Sequence, residues 1–433
     1  MTELSLSAED RALLAGADGP GVRKAMEVIV ALGRIYGAPD LAPVSHAHIA
    51  GVSYKNIGDA GIAFLREWAG QGARARVPAT LNPMGMERGR WQAWGIDESF
   101  AVPQLSALDA FLAMGITPVL TCTPYLLPGQ TPHCGDLLAW SESSAVVFAN
   151  SVLGARTNRE GGPSALAAAI TGRAARYGYL LDEARRAGVI VEVRCPVRTV
   201  ADFGALSYLV GKAAGDGVPW FADLASWLPP LPPDPAPGGP AVDRLKTLGA
   251  GLAAYGAVAL FHVAGYTPEA RDLGERLLAP AARRLRITSL DEAYRVMDAD
   301  PDQRQIDFVA IGCPHASLAE IAEVAHYLRG RRLATRLWVT TGEITRRQAA
   351  DAGYVAVIES AGGEVVADTC AVVAPLRMLG VRSMATNAGK MACYAPMHSG
   401  VKMRFGDVER CLEAAVSGEW SGAGYRGAGG RQD

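Results

Sequence analysis

Short β-branched runs alternate with amphipathic stretches rich in Ala, Leu and Arg along most of this chain. Strands that alternate with helices form layered α/β folds, because each helix covers a face of a largely parallel sheet. Residues 1–40 and the segment 164–188 show helical periodicity, the former with Ser7 as a candidate N-cap. The β-branched runs predict strands at Ala75–Val77, Thr117–Thr121, Val189–Val193, Ala257–Phe261, Ile306–Ile311, Arg336–Thr340, Val365–Ala367 and Val381–Ala385.

The length of the chain predicts more than one packed unit. Its 433 residues exceed what one small core accommodates, so we expect two or three α/β subdomains within residues 1–417. The proline-rich segment 229–240 cannot continue a helix or a central strand, and it is either a subdomain connector or a rigid surface loop. The Gly-rich residues 418–433 predict a flexible tail.

Composition excludes several classes of protein. The formal net charge of -2 argues against a nucleic-acid partner, which requires a basic face. The most apolar stretch, 248–263, is too short to span a bilayer, and the chain starts without a basic and apolar leader, so we expect a cytoplasmic protein without membrane contact. Seven scattered cysteines in such a chain do not indicate a disulfide framework.

Three cysteines follow predicted strands. Cys122 comes directly after 117–121, Cys313 follows 306–311 and a glycine, and Cys370 follows 365–367. Ligands of open α/β sheets lie beyond the carboxyl ends of the strands, where three thiolates from separate strands could hold an iron–sulfur cluster with one open iron. Buried cysteines also serve as small apolar side chains, and Cys195 follows a predicted strand as well, so position alone leaves both interpretations open.

The stretch Ala139–Gly162 mixes polar side chains with an apolar spine, which is typical of polar groups held on rigid backbone near a ligand. Ser141, Ser143 and Ser144 would present donors where a strand turns into a helix, whose N-terminus favours anions. Arg156 and Asn158 follow as candidate carboxylate contacts. A surface ion pair for the arginine and a helix-capping role for Glu142 are the alternatives.

Several long motifs, in the same order, resemble the aconitase X family over nearly the full chain. They are "AHIAGVSYKNIGDAG" (47–61), "PATLNPMGME" (78–87), "CTPY" (122–125), the stretch 139–162, "ALFHVAGYTPEA" (259–270), "IGCPH" (311–315), "DTC" (368–370) and "TNAGKMACYAP" (386–396). Two departures occur: Ala79 replaces the first of two threonines, and Cys393 stands where the family usually has histidine. The second departure adds a fourth thiol of unassigned role.

The resemblance implies an aconitase-like catalytic core of several α/β subdomains around an iron–sulfur site. The cluster, either 2Fe-2S or 4Fe-4S, would be held by Cys122, Cys313 and Cys370, with His315 orienting a thiolate. The implied activity is that of a hydro-lyase that dehydrates a small hydroxy acid. The family's small swivelling domain is not recognised in this chain, so the resemblance also implies a separate small subunit that supplies the catalytic base.

Further substrate-binding candidates lie in the same motifs. We predict His48, Ser53, Thr80, Asn82, Glu142 and Lys390 in this role, beside the serines, Arg156 and Asn158 named above. A structural histidine and a solvated lysine are the alternatives for the first and last of these.

The family suggests two substrates, cis-3-hydroxy-L-proline and mevalonate 5-phosphate. Six charged residues from the motifs (Arg156, Arg159, Lys390, Glu142, Glu160 and Asp368) sum to zero, which favours the zwitterionic hydroxyproline, converted to 1-pyrroline-2-carboxylate, over the phosphate ester. A non-catalytic small-molecule binding subunit is the hypothesis from another class, and it requires the cysteines to be packing residues.

Overall fold

The computed structural model describes residues 4–421, which form helices and four small sheets. The helices are α1 (Ala8–Ala15), α2 (Pro20–Ile35), α3 (Tyr54–Gly70), α4 (Glu98–Ala113), α5 (Ser143–Phe148), α6 (Gly162–Thr171), α7 (Val200–Ala214), α8 (Pro240–Gly256), α9 (Pro268–Leu273), α10 (Asp291–Met297), α11 (Leu318–Leu328), α12 (Glu343–Asp351), α13 (Tyr354–Ala361), α14 (Gly389–Ser399) and α15 (Val408–Ser417). The strands are β1 (Leu41–Pro43), β2 (His46–Ile49), β3 (Ala79–Leu81), β4 (Leu138–Trp140), β5 (Arg173–Ala175), β6 (Ala187–Val193), β7 (Pro219–Phe221), β8 (His262–Val263), β9 (Leu278–Ile287), β10 (Phe308–Ile311), β11 (Arg336–Thr341), β12 (Glu364–Ala367), β13 (Ser383–Thr386) and β14 (Lys402–Phe405).

Three of the four sheets are parallel, as the alternation of strands and helices predicts. Their strand orders are β3-β2-β4, β8-β7-β6-β9 and β12-β11-β10-β13-β14. The fourth sheet is the antiparallel pair β1-β5. Strand β10, at the centre of the largest sheet, is buried along its whole length, as expected when helices cover both faces. The α/β fold class is therefore confirmed.

Three of the predicted strands are wrong in position. Residues 75–77 are irregular and the strand is β3, four residues further on. Residues 117–121 run alongside β3 but form only a single bridge, Leu120 to Leu81, because Pro118 has no N–H for a ladder. Residues 257–261 precede the short strand β8, since Ala257 ends α8 in the left-handed conformation and Phe261 donates its N–H to the Ser151 hydroxyl.

The predicted helix over 164–188 is also wrong beyond Thr171. Gly172 adopts a φ of 69° and ends α6, after which the chain forms β5, two short 3₁₀ turns and the start of β6. At the N-terminus the prediction is confirmed, because Ser7 and Asp10 form a capping box on α1.

The segment 229–240 is an irregular loop up to Pro240, the first residue of α8. Within residues 4–421 no helix combines the length and the apolar character that a membrane crossing requires. The ordered chain continues beyond the predicted boundary at 417, since Trp420 is buried against the sheet of β10, whereas residues 422–433 lie outside the described part.

Two of the sheets meet at the carboxyl ends of their strands. A bridge joins Met84, which follows β3, to Thr369, which follows β12, and the Met84 N–H donates to the Asp368 carbonyl at 2.9 Å. Loops from β2, β3, β4, β10, β12 and β13 therefore converge on one cleft. In open α/β sheets this edge is where ligands bind.

Candidate active site

The three predicted cysteines lie together in this cleft. Cys122, Cys313 and Cys370 are each 7–8% exposed, and each follows the end of a strand or extended segment. Gly312 makes the turn before Cys313 possible, because it has a φ of 97° and a side chain there would lie 2.2 Å from the Thr340 carbonyl oxygen. The backbone thus presents the Cys313 thiol to the other two loops.

His315 connects the three cysteine loops. Its backbone N–H donates to the Cys122 sulfur at 3.2 Å, and its Nε2 donates to the Thr369 carbonyl at 3.0 Å. The remaining ring nitrogen, Nδ1, accepts from the Thr121 hydroxyl at 3.1 Å, which fixes the tautomer. Burial lowers the pKa of His315 to about 4, so the ring is neutral and its two partners hold the loops in place.

The thiols of this group influence each other electrostatically. Burial raises the pKa of Cys122 to about 12, with Glu142 and Cys370 adding to the effect and Lys390 opposing it. The pKa of Cys313 and that of Cys370 are also raised by burial, and Lys390 again opposes the shift. The group thus resists ionisation unless a cation joins it, and metal binding supplies that cation by displacing the thiol protons.

Lys390 and Glu142 form a buried ion pair beside the cysteines. Lys390 lies in the first turn of α14 and Glu142 is the N-cap of α5, so each is fixed by a helix end. Glu142 also accepts from Asn82 at 2.7 Å and from Ser144 at 2.9 Å. Burial opposes the charge on Glu142, but Lys390 and these donors lower its pKa to about 2. Glu142 in turn raises the pKa of Lys390 against burial.

A second set of polar groups in the cleft is only partly hydrogen-bonded. His48 Nδ1 pairs with the Thr80 hydroxyl at 2.8 Å across neighbouring strands, while its Nε2 has no hydrogen bond of good geometry within the described chain. The Ser53 hydroxyl and the Asn82 carbonyl oxygen are likewise buried without a partner there. Ser53 is the N-cap of α3, yet its side chain does not cap the helix. Buried polar groups are normally satisfied, so this set marks a place for a ligand.

Two of the other residues predicted to contact the substrate form hydrogen bonds with the protein backbone instead. The Ser141 hydroxyl bridges the His48 carbonyl and the Ala50 N–H, and Asn158 binds the backbone of Tyr177 and Tyr179. Ser143 lies half-buried at the start of α5. These geometries account for the three side chains structurally, and their substrate contacts stay predictions.

Arg156 is engaged with acidic residues. It pairs with Asp182 at 2.5 Å and with Glu269 at 3.6 Å, and it donates to the Leu180 carbonyl at 3.2 Å. None of these partners belongs to the cysteine loops. Its predicted carboxylate contact therefore has no support in this geometry.

Two cations near the cysteines were not predicted as site residues. Lys55 lies inside the motif 47–61, and its pKa is lowered by burial, raised by the Cys370 thiol and lowered by Arg377. Arg377 lies on the loop that follows Cys370. The motif itself was the only sequence signal for Lys55. Arg377 lies outside every motif.

The residues fit an iron–sulfur cluster. The three buried thiols are soft ligands on separate loops, and the orphaned Ser53, Asn82 and His48 atoms leave polar room beside them. Within residues 4–421 no three Cys, His, Asp or Glu side chains converge as ligands of one ion. A cluster, however, binds its cysteines through different irons.

Comparison with known proteins agrees with this architecture. Models of the aconitase X first, second and third domains match residues 3–183, 187–295 and 306–417. The chain belongs to the aconitase X family. This membership makes it a lyase of the dehydratase type and is consistent with an iron–sulfur cofactor. The segment 229–240 lies inside the second aconitase X domain.

Known aconitase X proteins resemble the chain along most of its length. The phosphomevalonate dehydratase large subunit of Methanothermobacter thermautotrophicus is 45% identical over 397 residues, which cover 90% of this chain and 94% of that protein. The cis-3-hydroxy-L-proline dehydratase of Pseudomonas aeruginosa is 38% identical over 422 residues, 95% of this chain but 70% of that protein. The holo-form of Thermococcus kodakaraensis aconitase X superimposes with a TM-score of 0.83 at 43% identity, covering 95% of this chain and 100% of that one.

Proposed function

We propose that this chain is the large subunit of an iron–sulfur dehydratase that removes water from mevalonate 5-phosphate. The observation that carries the proposal is the group of three buried thiols beside the Lys390–Glu142 pair, with cations at Lys55 and Arg377 close by. The archaeal large subunit supports the substrate, because it is more similar to this chain than the P. aeruginosa enzyme and nearly equal in extent. Lys55 and Arg377 place two cations near the Cys370 loop, which favours the phosphate ester.

The chemistry requires a proton to leave the carbon next to a carboxylate and a hydroxyl to leave the next carbon. Cys122, Cys313 and Cys370 would hold the cluster, which would supply a Lewis acid for the hydroxyl. Lys390 offers its ammonium to the carboxylate or the departing oxygen while Glu142 keeps it charged and oriented. The Ser53 hydroxyl can donate to a substrate oxygen, and the Asn82 carbonyl oxygen can accept from the substrate's hydroxyl.

We assign the base to a separate small subunit. The titratable groups of the cleft are unsuited to it, because burial lowers the pKa of His48 to about 3 and Lys390 is held protonated. Glu142 is ionised, but three donors occupy its oxygens. The name of the archaeal relative, a large subunit, supports a two-chain enzyme.

The test is anaerobic co-expression with a candidate small subunit, followed by assays with mevalonate 5-phosphate and with cis-3-hydroxy-L-proline. We expect an unsaturated acid, detected by its vinyl proton in NMR spectra, only from the phosphate ester and only with both subunits. Robust turnover by this chain alone would contradict the two-subunit proposal. Formation of the cyclic imine from hydroxyproline, with no product from the phosphate ester, would instead support the second candidate, which the P. aeruginosa relative favours.

A further inference from the structure

A cavity of about 300 Å³ opens next to the loop that carries Cys370. Residues 375–378 of that loop form one wall, and Lys55, in the first turn of α3, lies on another. His398 and Ser399, at the end of α14, close the third side. The cavity is therefore built from the same three segments that position Ser53, Cys370 and Lys390.

Most of the cavity wall is apolar, formed by residues such as Phe100, Leu376 and Met378, and the exposed cations Lys55 and Arg377 lie on it. Lys55 and Arg377 both line it, and no carboxylate is among its lining residues in the described chain. Lys55 contacts only the Ser399 hydroxyl, at 3.5 Å, and Arg377 donates to the Ser399 carbonyl at 2.8 Å, so neither forms an ion pair within residues 4–421. By contrast, Arg88, on the opposite side of the cleft, is neutralised by Asp368.

The two cations also act on each other and on the cysteine group. Burial lowers the pKa of Lys55, and the charge of Arg377 lowers it further, while the Cys370 thiol has the opposite effect. Two exposed cations on one cavity wall, with no acid among the lining residues, are available to bind an anion. Lys55 thus lines the cavity and is near enough to Cys370 to be influenced by it electrostatically.

We infer that Lys55 and Arg377 bind the phosphate of a phosphomonoester substrate whose carboxylate end lies at the cysteine group. This inference rests on the proposed function and adds the residues that select the substrate. A phosphate monoester carries about 1.5 to 2 negative charges near neutral pH, which matches the two cations. Arginine and lysine are the usual partners of phosphate, and a zwitterionic amino acid has no group to neutralise them.

The test uses Lys55→Met and Arg377→Gln in the reconstituted two-subunit enzyme. Each variant should raise KM for mevalonate 5-phosphate at least tenfold while kcat changes less than threefold, because phosphate binding is equal in ground and transition states. Lys402→Met and Arg332→Gln, exposed cations elsewhere, are the matched controls and should leave KM unchanged. Iron content should equal that of the wild type in all four. An unchanged KM in both cavity variants would overturn the inference while leaving the proposed function intact.

A second measurement separates the inference from the proposed function. Inorganic phosphate is titrated into the large subunit and followed by ³¹P NMR, with the Lys55→Met/Arg377→Gln double variant as comparison. Saturable binding that the double variant loses supports the anion site, even if the enzyme proves to dehydrate hydroxyproline. Equal binding by both proteins, or none by either, counts against it.

Discussion

Two buried lysines lie on opposite sides of the Cys313 loop, and they are paired in different ways. Lys390 contacts Glu142 in the cleft, and Lys246 on α8 contacts Glu320 and donates to the His315 carbonyl at 3.1 Å. Both side chains are almost fully enclosed, Lys246 at 1% exposure and Lys390 at 12%. Burial of a charged pair therefore does not distinguish a catalytic group from a structural one.

The surroundings of the two pairs do distinguish them. Lys390 interacts electrostatically with three thiols, whereas Lys246 has a second carboxylate, Asp243, at 3.4 Å and a backbone carbonyl. The lysine beside the candidate cluster thiols is placed to bind a ligand. The lysine enclosed by two acids and a carbonyl is placed to hold a loop.

The largest effect should come from replacing the three thiols, which lie only on the Lys390 side of the loop. Cys122→Ser, Cys313→Ser and Cys370→Ser should each abolish iron content and visible absorption after anaerobic purification, because a hydroxyl is a poor cluster ligand. Cys195→Ser and Cys411→Ser are the controls, since both are buried in cores away from the cleft. Full iron retention in one of the first three would remove that residue from the ligand set.

Removing each lysine should separate folding from catalysis. Lys390→Met and Lys246→Met should both lower the free energy of unfolding by about 3–5 kcal/mol, because each leaves a carboxylate buried without its partner. Among molecules that remain folded, Lys390→Met should reduce kcat/KM by about a hundredfold or more, while Lys246→Met changes it less than about threefold. Denaturant titration and turnover per iron give the two quantities.

If Lys390→Met does not fold, Lys390→Arg serves instead. It keeps the charge near Glu142 but displaces the donor, so stability should be largely retained while turnover falls. Equal losses of turnover at Lys390 and Lys246 would contradict the distinction between the two sides of the loop.

The smallest effect concerns pH, because the two carboxylates are shifted in opposite directions. The pKa of Glu142 is lowered to about 2 by Lys390, Asn82 and Ser144 acting against burial. That of Glu320 is raised to about 7 by burial and by Asp243, which outweigh Lys246. A carboxyl group whose pKa is lowered by folding stabilises the folded protein at pH values above its ordinary pKa near 4.5. This stabilisation is lost as the pH falls towards 2. A carboxyl group whose pKa is raised by folding stabilises the folded protein at low pH, and this stabilisation is lost as the pH rises from 4.5 to 7.

Free energies of unfolding between pH 4 and 7 for the wild type, Glu142→Gln and Glu320→Gln would measure this. The advantage of the wild type over Glu142→Gln should persist down to about pH 4.5 and then shrink. Its stability relative to Glu320→Gln should decline as pH rises through the same interval. Parallel curves for both variants would show that the two carboxylates have the same environment.

The sequence by itself determined the α/β class and the family, and it predicted the three cysteines as ligands. Alternation of β-branched and amphipathic runs is a local property that survives in the fold, as do the strand ends before Cys313 and Cys370. Long motifs around Cys122, Cys313 and Cys370 identified the family, and the role of these thiols as cluster ligands stays a prediction. The same motifs contained His48, Asn82, Glu142 and Lys390, which the structure brings into one cleft.

The tertiary structure decided the partners of these residues and the unpredicted cations. Arg156 pairs with Asp182, a contact that depends on where the chain turns after Gly172, and its predicted substrate contact stays a prediction. Lys55 and Arg377 are 322 positions apart in the sequence and meet only because α3 packs against the loop after Cys370. A sequence shows each charged residue separately. Which charged residues form ion pairs depends on the distances between their side chains in the folded protein, because electrostatic energy depends on separation in space.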